Sequence, residues 1–599
     1  MNGFGFNTYG HLKGLVQSIA ASMPKVTTLG LGDFYEMNQD IPLYNMLAAE
    51  YAERLRCISF NCPETIYSVQ RFSPHLTSLR FNALSREPWV LSKIDVECLV
   101  HLDIDRLTDS FTWERFYNSP KKSTIVFSKL KSLKLNFSTH TRATEQDTGN
   151  RIMQLIEYKP ITNIACPELE SITFANGIYR DLWRLLSFGG NICANLKTLD
   201  VVLANSISYD YQFKLNANAL EQSIESVAYE LASCIPNIKD VRLSSVRTCA
   251  ATSIFYNAIS NGLAHQFVNY TCNTPINFIV PQFSNRLKKL SFHVSPLLQQ
   301  PFPALNTDTI EHLEINNVQF PFGWEYLFSS QKDSANTVTF GMLESLRINL
   351  LSKTLQAPTS PEPVSQLGDV REKVRLYMPN LKQLEICQLQ LSSASPNVEI
   401  IINRQTNVVF KGTACGLEAI KCDSDAGFKA LVVDLHTSKD DEHDFYKATN
   451  RVFGVESGIG EKKLALIGDC DWLDTARIKW ANLHELHVLT PTCFTLLLGI
   501  IAALPNLKQL ACAKLLPENT HIKSFYNIAP LSHSILRLVI YSAESSSSQQ
   551  VNNCIKYLLL ATPSLRFVQC PDTSLDRQAF IRQFSLAYPH VKSAQLLRY

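Results

Sequence analysis

The chain carries 16 cysteines yet has no Cys-x-x-Cys pair and no pairing with zinc spacing, so a zinc-binding or thioredoxin-like reading has nothing to stand on. Scattered thiols fit a reducing compartment, with several placed where a small apolar residue is wanted, such as Cys422, Cys512 and Cys570. There is no excess of one charge: 56 Lys and Arg face 54 Asp and Glu, for a formal net charge of +2. That balance gives no general pull on a phosphate backbone, and no long Lys/Arg cluster appears, so nucleic acid is not an expected partner. The longest apolar run, Cys493 to Leu504, falls short of the roughly 20 residues needed to span a bilayer, and a membrane association is not expected. The opening MNGFGFNTYGHLKG lacks a basic region followed by an apolar one, so it does not read as a secretory signal. Together these absences place the protein in the cytoplasm or nucleus. The sequons at Asn136 and Asn269 then carry no weight.

Catalytic signatures are missing as well. His484-Glu485-Leu486-His487 has its histidines too close for a zinc-protease helix and falls on a predicted strand. Asp440-Asp441-Glu442-His443-Asp444 has neither the spaced ligands nor the glycine turn of a calcium loop and reads as a solvated loop. In GVESGIGEKK, Gly460 is followed by Glu461 where a phosphate loop needs Lys. No Gly-x-Ser-x-Gly elbow is present. No catalytic residue, metal site or cofactor is assigned, and the protein is not expected to be an enzyme.

What is present is a repeat. An L-x-x-L-x-L pattern, with Ile, Val, Phe or Cys allowed, recurs as Leu130-Leu133-Leu135, Leu196-Leu199-Val201, Leu287-Leu290-Phe292, Leu381-Leu384-Ile386 and Leu483-Leu486-Val488. Roughly 18 copies run from Val26-Leu29-Leu31 to Val591-Ala594-Leu596, spaced unevenly from about 21 to nearly 50 residues. A gap between Ile420 and Leu486 hides one degenerate strand at Leu464-Ala465-Leu466-Ile467. Proline stands two residues before the first apolar position at Pro24, Pro74, Pro167, Pro236, Pro379, Pro505, Pro563 and Pro589. It lacks an N–H and disfavours helix in the residue before it, so it marks a helix-to-strand junction. The preceding segments are amphipathic at helical spacing, as in Leu12, Leu15, Val16, Ile19 and Met23, or Ile224, Val227, Ala228 and Leu231.

The unit is therefore helix, proline turn, short strand. Alone it cannot hide both apolar faces; stacked copies can, with parallel strands on one side and helices on the other. The expected fold class is α/β: a leucine-rich-repeat solenoid, a curved horseshoe with strands on the concave face and helices on the convex face. Residues 1–599 form a single solenoid of about 18–20 irregular repeats. Longer loops interrupt it near 142–160, 204–218, 352–375, 388–410, 436–460 and 542–550.

Segments such as CPELESITF (166–174), MPNLKQLEI (378–386) and LPNLKQLAC (504–512) carry a resemblance to ribonuclease-inhibitor-like leucine-rich repeats, particularly those of fungal F-box/leucine-rich-repeat proteins. The resemblance covers nearly the whole chain. The Asn or Cys usual after each strand is irregular here, and repeat-like sequence begins near His11, which leaves no room for an F-box ahead of it.

The residue between the last two apolar positions points out of each strand. These residues form a column: Ser59, Arg80, Asp103, Lys134, Thr173, Asp200, Arg242, Ser291, Glu314, Arg347, Glu385, Lys421 and His487. It continues through the less charged Ala511, Val539, Gln569 and Gln595. Arg80, Asp103, Lys134, Asp200, Arg242, Glu314, Arg347, Glu385, Lys421 and His487 are the candidate partner-binding residues, their mixed charge suiting a protein partner. The expected function is a non-enzymatic protein-recognition scaffold. The resemblance implies an alternative, a substrate receptor for a cullin-type ubiquitin ligase whose F-box is lost or missing from this chain. A weaker one is a GTPase-activating or other enzyme-regulating repeat protein.

Overall fold

The computed structural model describes residues 6–31, 41–60, 71–83, 94–107, 124–137, 163–177, 182, 194–203, 217–245, 250–276, 278–279, 282–294, 305–318, 337–350, 374–389, 398–403, 405–412, 420–422, 430–435, 442–453, 462–467, 473–516, 530–543, 554, 557–558 and 561–569. Two compact units divide the chain, Met1–Leu287 and Lys288–Tyr599. Each is a parallel-strand solenoid of the leucine-rich-repeat kind, with an α/β composition.

In the first unit the strands are β1 (Thr28–Leu31), β2 (Cys57–Phe60), β3 (Ser78–Asn82), β4 (His101–Leu107), β5 (Thr124–Val126), β6 (Ser132–Phe137), β7 (Asn163–Ala165), β8 (Ser171–Gly177), β9 (Thr198–Leu203), β10 (Asp240–Ser245) and β11 (Asn269–Ile276). Nine of them, all but β5 and β7, pair in chain order as one parallel ladder. The described helices include α1 (Phe6–Ser22), α2 (Ile41–Tyr51), α3 (Ala217–Cys234) and α4 (Ala250–Leu263).

The second unit contains β12 (Lys289–Val294), β13 (His312–Val318), β14 (Thr337–Thr339), β15 (Ser345–Leu350), β16 (Val374–Met378), β17 (Gln383–Leu389), β18 (Val398–Ile402), β19 (Asn407–Gly412), β20 (Ile420–Cys422), β21 (Ala430–Leu435), β22 (Lys462–Ile467), β23 (Leu483–Cys493), β24 (Gln509–Leu516), β25 (Arg537–Ala543) and β26 (Phe567–Gln569). Eleven of these form its main parallel ladder. Its described helices include α5 (Glu442–Phe453) and α6 (Phe494–Ala503). No described helix is long and apolar enough to cross a membrane.

Register explains why the pattern works. In the first unit Ile58, Leu79, Leu102, Leu133, Ile172, Leu199, Val241 and Tyr270 align rung by rung, each no more than 2% exposed. Two positions on, Phe60, Phe81, Ile104, Leu135, Phe174, Val201, Leu243 and Cys272 make a second buried row. Side chains alternate across a strand, so one apolar row implies the other. At roughly 2 kcal/mol per fully buried aliphatic side chain, these rows dominate the stability.

The proline reading acquires a mechanism. In each described copy the carbonyl before proline accepts from the N–H of the first apolar residue, closing a turn with proline at its second position: Leu76 to Ser73 (3.1 Å), Leu169 to Cys166 (3.1 Å), Ile238 to Ile235 (3.3 Å) and Leu507 to Leu504 (3.3 Å). Proline favours that position because its φ is already set. Pro589 lies outside the described residues.

Asparagine next to that turn ties neighbours together. The side-chain amides of Asn195, Asn237, Asn380 and Asn506 donate to Pro167 O, Ala194 O, Gly341 O and Ala481 O, each in an earlier turn of the array. We expect Asn506→Ala to lower stability by about 1 kcal/mol, because the exposed carbonyl it serves can turn to water. Thermal unfolding monitored by circular dichroism would measure it, and an unchanged midpoint would remove the ladder from the list of stabilising contacts.

One expectation needs correction: the outer layer is not helical throughout. β14, β16, β18 and β20 form a second parallel sheet, and β5 pairs with β7 in the first unit. These short strands occupy the slot before the turn that helices fill in other repeats. The residues decide which. α3 is rich in Ala, Leu and Glu, whereas VEIII and TIV are rich in β-branched residues that favour strands and VRLYM carries a Val and a Tyr. Pro167 and Pro379 therefore end strands, not helices. The loop expected over 388–410 holds β18 and the start of β19, and the one over 436–460 holds α5. Glu442 to Asp444, read as loop, begin α5. Leu464 to Ile467 do lie in a ladder strand, β22. The stretches 142–160 and 544–550, most of 204–218 and 352–375, and the copy at Val591–Leu596 lie outside the described residues.

Candidate recognition surface

The face opposite the core rows carries the column read from the sequence. In the first unit the register runs Gly30, Ser59, Arg80, Asp103, Lys134, Thr173, Asp200, Arg242, Thr271. In the second it runs Ser291, Glu314, Arg347, Glu385, Val409, Val432, Ala465, His487, Ala511, Val539, Gln569. Gln595 lies outside the described residues.

Lys421 does not belong to it. Ile420–Cys422 is the outer strand β20, where Lys421 stands in register with Ile401. Its I-K-C alternation resembles a ladder strand, but the rungs at this height are Val409 and Val432, whose continuously apolar strands lack the polar alternation that would have revealed them.

Many of the charges in the column are already engaged. Arg80 reaches Asp105 through Nη2 (2.8 Å) and Asp103 through Nε (3.5 Å), and Lys134 bonds Asp103 at 3.2 Å. Asp105 also accepts from Asn136, which accepts in turn from Asn176 at 2.8 Å. Asn176 has φ of +60°, a left-handed conformation that Asn tolerates better than most residues. Asp105 lies two residues beyond Asp103 on the same face, so the alternation in HLDIDRL was the signal for it.

Arg242 differs. It is exposed and makes no ion pair among the described residues. Its neighbour Asp200 is half-buried; burial pushes its carboxyl up and the Arg242 charge opposes this.

In the second unit Arg347 bridges two glutamates, donating to Glu314 Oε1 through Nη1 (3.2 Å) and meeting Glu385 Oε1 through Nη2 (3.3 Å). Ser291 donates to the other Glu314 oxygen at 2.9 Å. Beside them burial pushes the His293 imidazole down, with Glu314 opposing. A shallow depression of about 150 Å³ lies over this group, rimmed by Lys289, His312, Ser345 and Gln383.

Beyond Glu385 the same face changes character. Val409, Val432, Ala465, His487, Ala511 and Val539 are all 2% exposed or less, as buried as the core rows. His487 bonds Glu485 at 2.8 Å, and Lys463 meets the other Glu485 oxygen at 2.6 Å. Burial alone would raise the Glu485 carboxyl, but the bonds from His487 and Lys463 outweigh it and hold it below the usual range. This pair is an internal bridge, not a displayed contact. Among the described residues no group of three or more His, Cys, Asp or Glu is placed to hold a metal ion. The chain matches no protein-family model and no curated protein sequence.

Proposed function

We propose that the chain is a non-enzymatic scaffold that binds a protein partner through the polar face of its ladder strands. The reading rests on one observation: from Ser59 to Thr271 the non-core face of the first unit is an unbroken row of polar and charged side chains on a registered ladder. A registered backbone array of this kind fixes the spacing of its side chains to within the strand separation, which favours recognition by charge matching.

The ten candidate residues then divide. Arg242 offers an exposed guanidinium with nothing bound to it among the described residues, and arginine is enriched where interfaces hold their energy. Arg80, Asp103, Lys134, Glu314, Arg347 and Glu385 are paired with one another and contribute shape and field. Asp200 is half-buried beside Arg242, His487 is withdrawn from solvent and Lys421 lies on another sheet.

The test compares affinity capture by the wild-type chain and by Arg242→Glu, with bound proteins identified by mass spectrometry. A specific partner should be held by the wild type and weakened by at least about tenfold in the variant, equivalent to about 1.4 kcal/mol. A partner retained equally by Arg242→Glu would remove the ladder face from the proposal.

A further inference from the structure

Charge on the ladder face of the first unit is sorted by height. The ladder strands there contain Asp103, Asp105, Asp200 and Asp240 but no Glu, and their bases include Arg80, Lys134 and Arg242. Side chains stand roughly perpendicular to a sheet, so a short aspartate keeps its charge low while the long Arg and Lys stems lift theirs toward solvent. The exposures follow. Arg80 and Lys134 are 52% and 40% exposed, and their partners Asp103 and Asp105 are 24% and 17% exposed. Arg242 is exposed beside the half-buried Asp200. The second unit pairs its arginine with the longer glutamate and loses the effect: Arg347 is 24% exposed and Glu314 31%.

A second cationic row borders this face. Arg56, Lys131, Lys197 and Lys239 stand one residue before β2, β6, β9 and β10, and all four are exposed. Backbone bonds hold them on the rungs: Arg56 O accepts from Thr77 N, Lys131 N donates to Val100 O, and Lys239 N donates to Lys197 O. Glu170, on the rung between Lys131 and Lys197, bonds Lys197 at 3.1 Å. Arg56, Lys131, Lys239 and Arg242 make no ion pair among the described residues. The surface that a partner meets first is therefore positive, although its formal charges nearly cancel.

We infer that this surface receives an acidic polypeptide segment, whose separate carboxylates seat on the cations of the face and its rim. This rests on the proposed function, in which the ladder face meets a protein. From Arg80 to Arg242 the ladder takes five strand steps, about 24 Å, which about seven residues of extended chain can cross. The face cations stand on the first, third and sixth of these rungs. Irregular cations with aspartates beneath them suit carboxylates on independent side chains, which can avoid the acids. A phosphate backbone would bring a charge past each of those acids. The column from Ser59 to Thr271 also holds no aromatic side chain on which a base could stack.

Fluorescence anisotropy on the full chain, with a labelled oligoglutamate long enough to cross the face, tests this. Oligoglutamine and oligothymidylate of equal length are the controls. The wild type should bind oligoglutamate and not oligoglutamine, and less tightly as salt rises. Lys131→Glu with Lys239→Glu should weaken that binding by at least about tenfold. Both lysines are exposed and make no ion pair among the described residues, so the double variant should keep the wild-type circular dichroism and melting curve. A wild type that ignores oligoglutamate overturns the inference, as does a double variant that binds it equally or a wild type that prefers oligothymidylate. Failure of the wider reading looks different. If oligoglutamate is ignored but a captured partner is released by Arg242→Glu, the ladder face stands and only its acidic ligand is removed.

Discussion

Replacing Arg347 by Met should lower the unfolding free energy of the second unit by about 3 kcal/mol, the low end for breaking a buried pair. Glu385 decides the size of the effect. It is 3% exposed, and Arg347 Nη2 meets its Oε1 at 3.3 Å. Without the guanidinium, a carboxylate stays behind in a place where its charge is poorly solvated. Arg347 itself is 24% exposed, which argues against the high end of the range. Glu314 suffers less, since it is 31% exposed and keeps its bond from Ser291. The second substitution sharpens the prediction. Adding Glu385→Leu to Arg347→Met should restore most of the loss, because an apolar pair of similar volume often replaces a buried ion pair at little cost. Urea unfolding of the two variants would measure both. If the double variant is no better than the single one, the loss comes from packing of the Arg347 stem and not from a stranded carboxylate.

The same pairing bears on recognition. A residue that holds its neighbours in place is a poor probe of a partner, because its removal disturbs the surface before any partner arrives. Arg347 and Glu385 are such residues. Arg242 is the cleaner probe, since its removal frees no described ion pair.

The core rows were legible because they depend on spacing alone. Two apolar residues flanking one polar residue define a half-buried strand, and proline at a fixed offset defines its start. Of the outward residues named, all but Lys421 among those described fall in the two columns. Legibility failed where polarity stopped alternating. β19 and β21 read NVVFKG and ALVVDL, apolar on both faces, since Val409 and Val432 are as buried as Val408 and Leu431. A strand covered on both sides loses the period that identifies it. The outer strands failed for another reason. Helix and strand fill the same slot before the same turn, and proline stops either one. Burial of His487 could not be read from its position either, because burial of that face depends on what lies over it.

Trp480→Ala should be the most damaging single truncation in the second unit, at about 3–5 kcal/mol. Trp480 is fully buried and stands at the first position of the turn before β23, where its carbonyl accepts from Leu483 N at 3.1 Å. Other repeats put Ser73, Cys166 or Met378 there. The larger ring reaches the helix α5, meeting Phe445 edge-on at 6.1 Å and Phe453 at 6.3 Å. It thus joins a helix that the sequence disguised with acidic residues to a strand that the repeat pattern made plain. Its Nε1 has no hydrogen-bond partner among the described residues. A buried N–H left unmet opposes folding, so Trp480→Phe should cost much less than Trp480→Ala: the smaller ring keeps part of the aromatic contact and removes the unmet donor. Calorimetry on the three chains would order them wild type, Phe, Ala in falling stability. Equal losses for Phe and Ala would mean that the indole nitrogen is engaged and that the fit of the full ring, not its apolar area, holds α5 against β23.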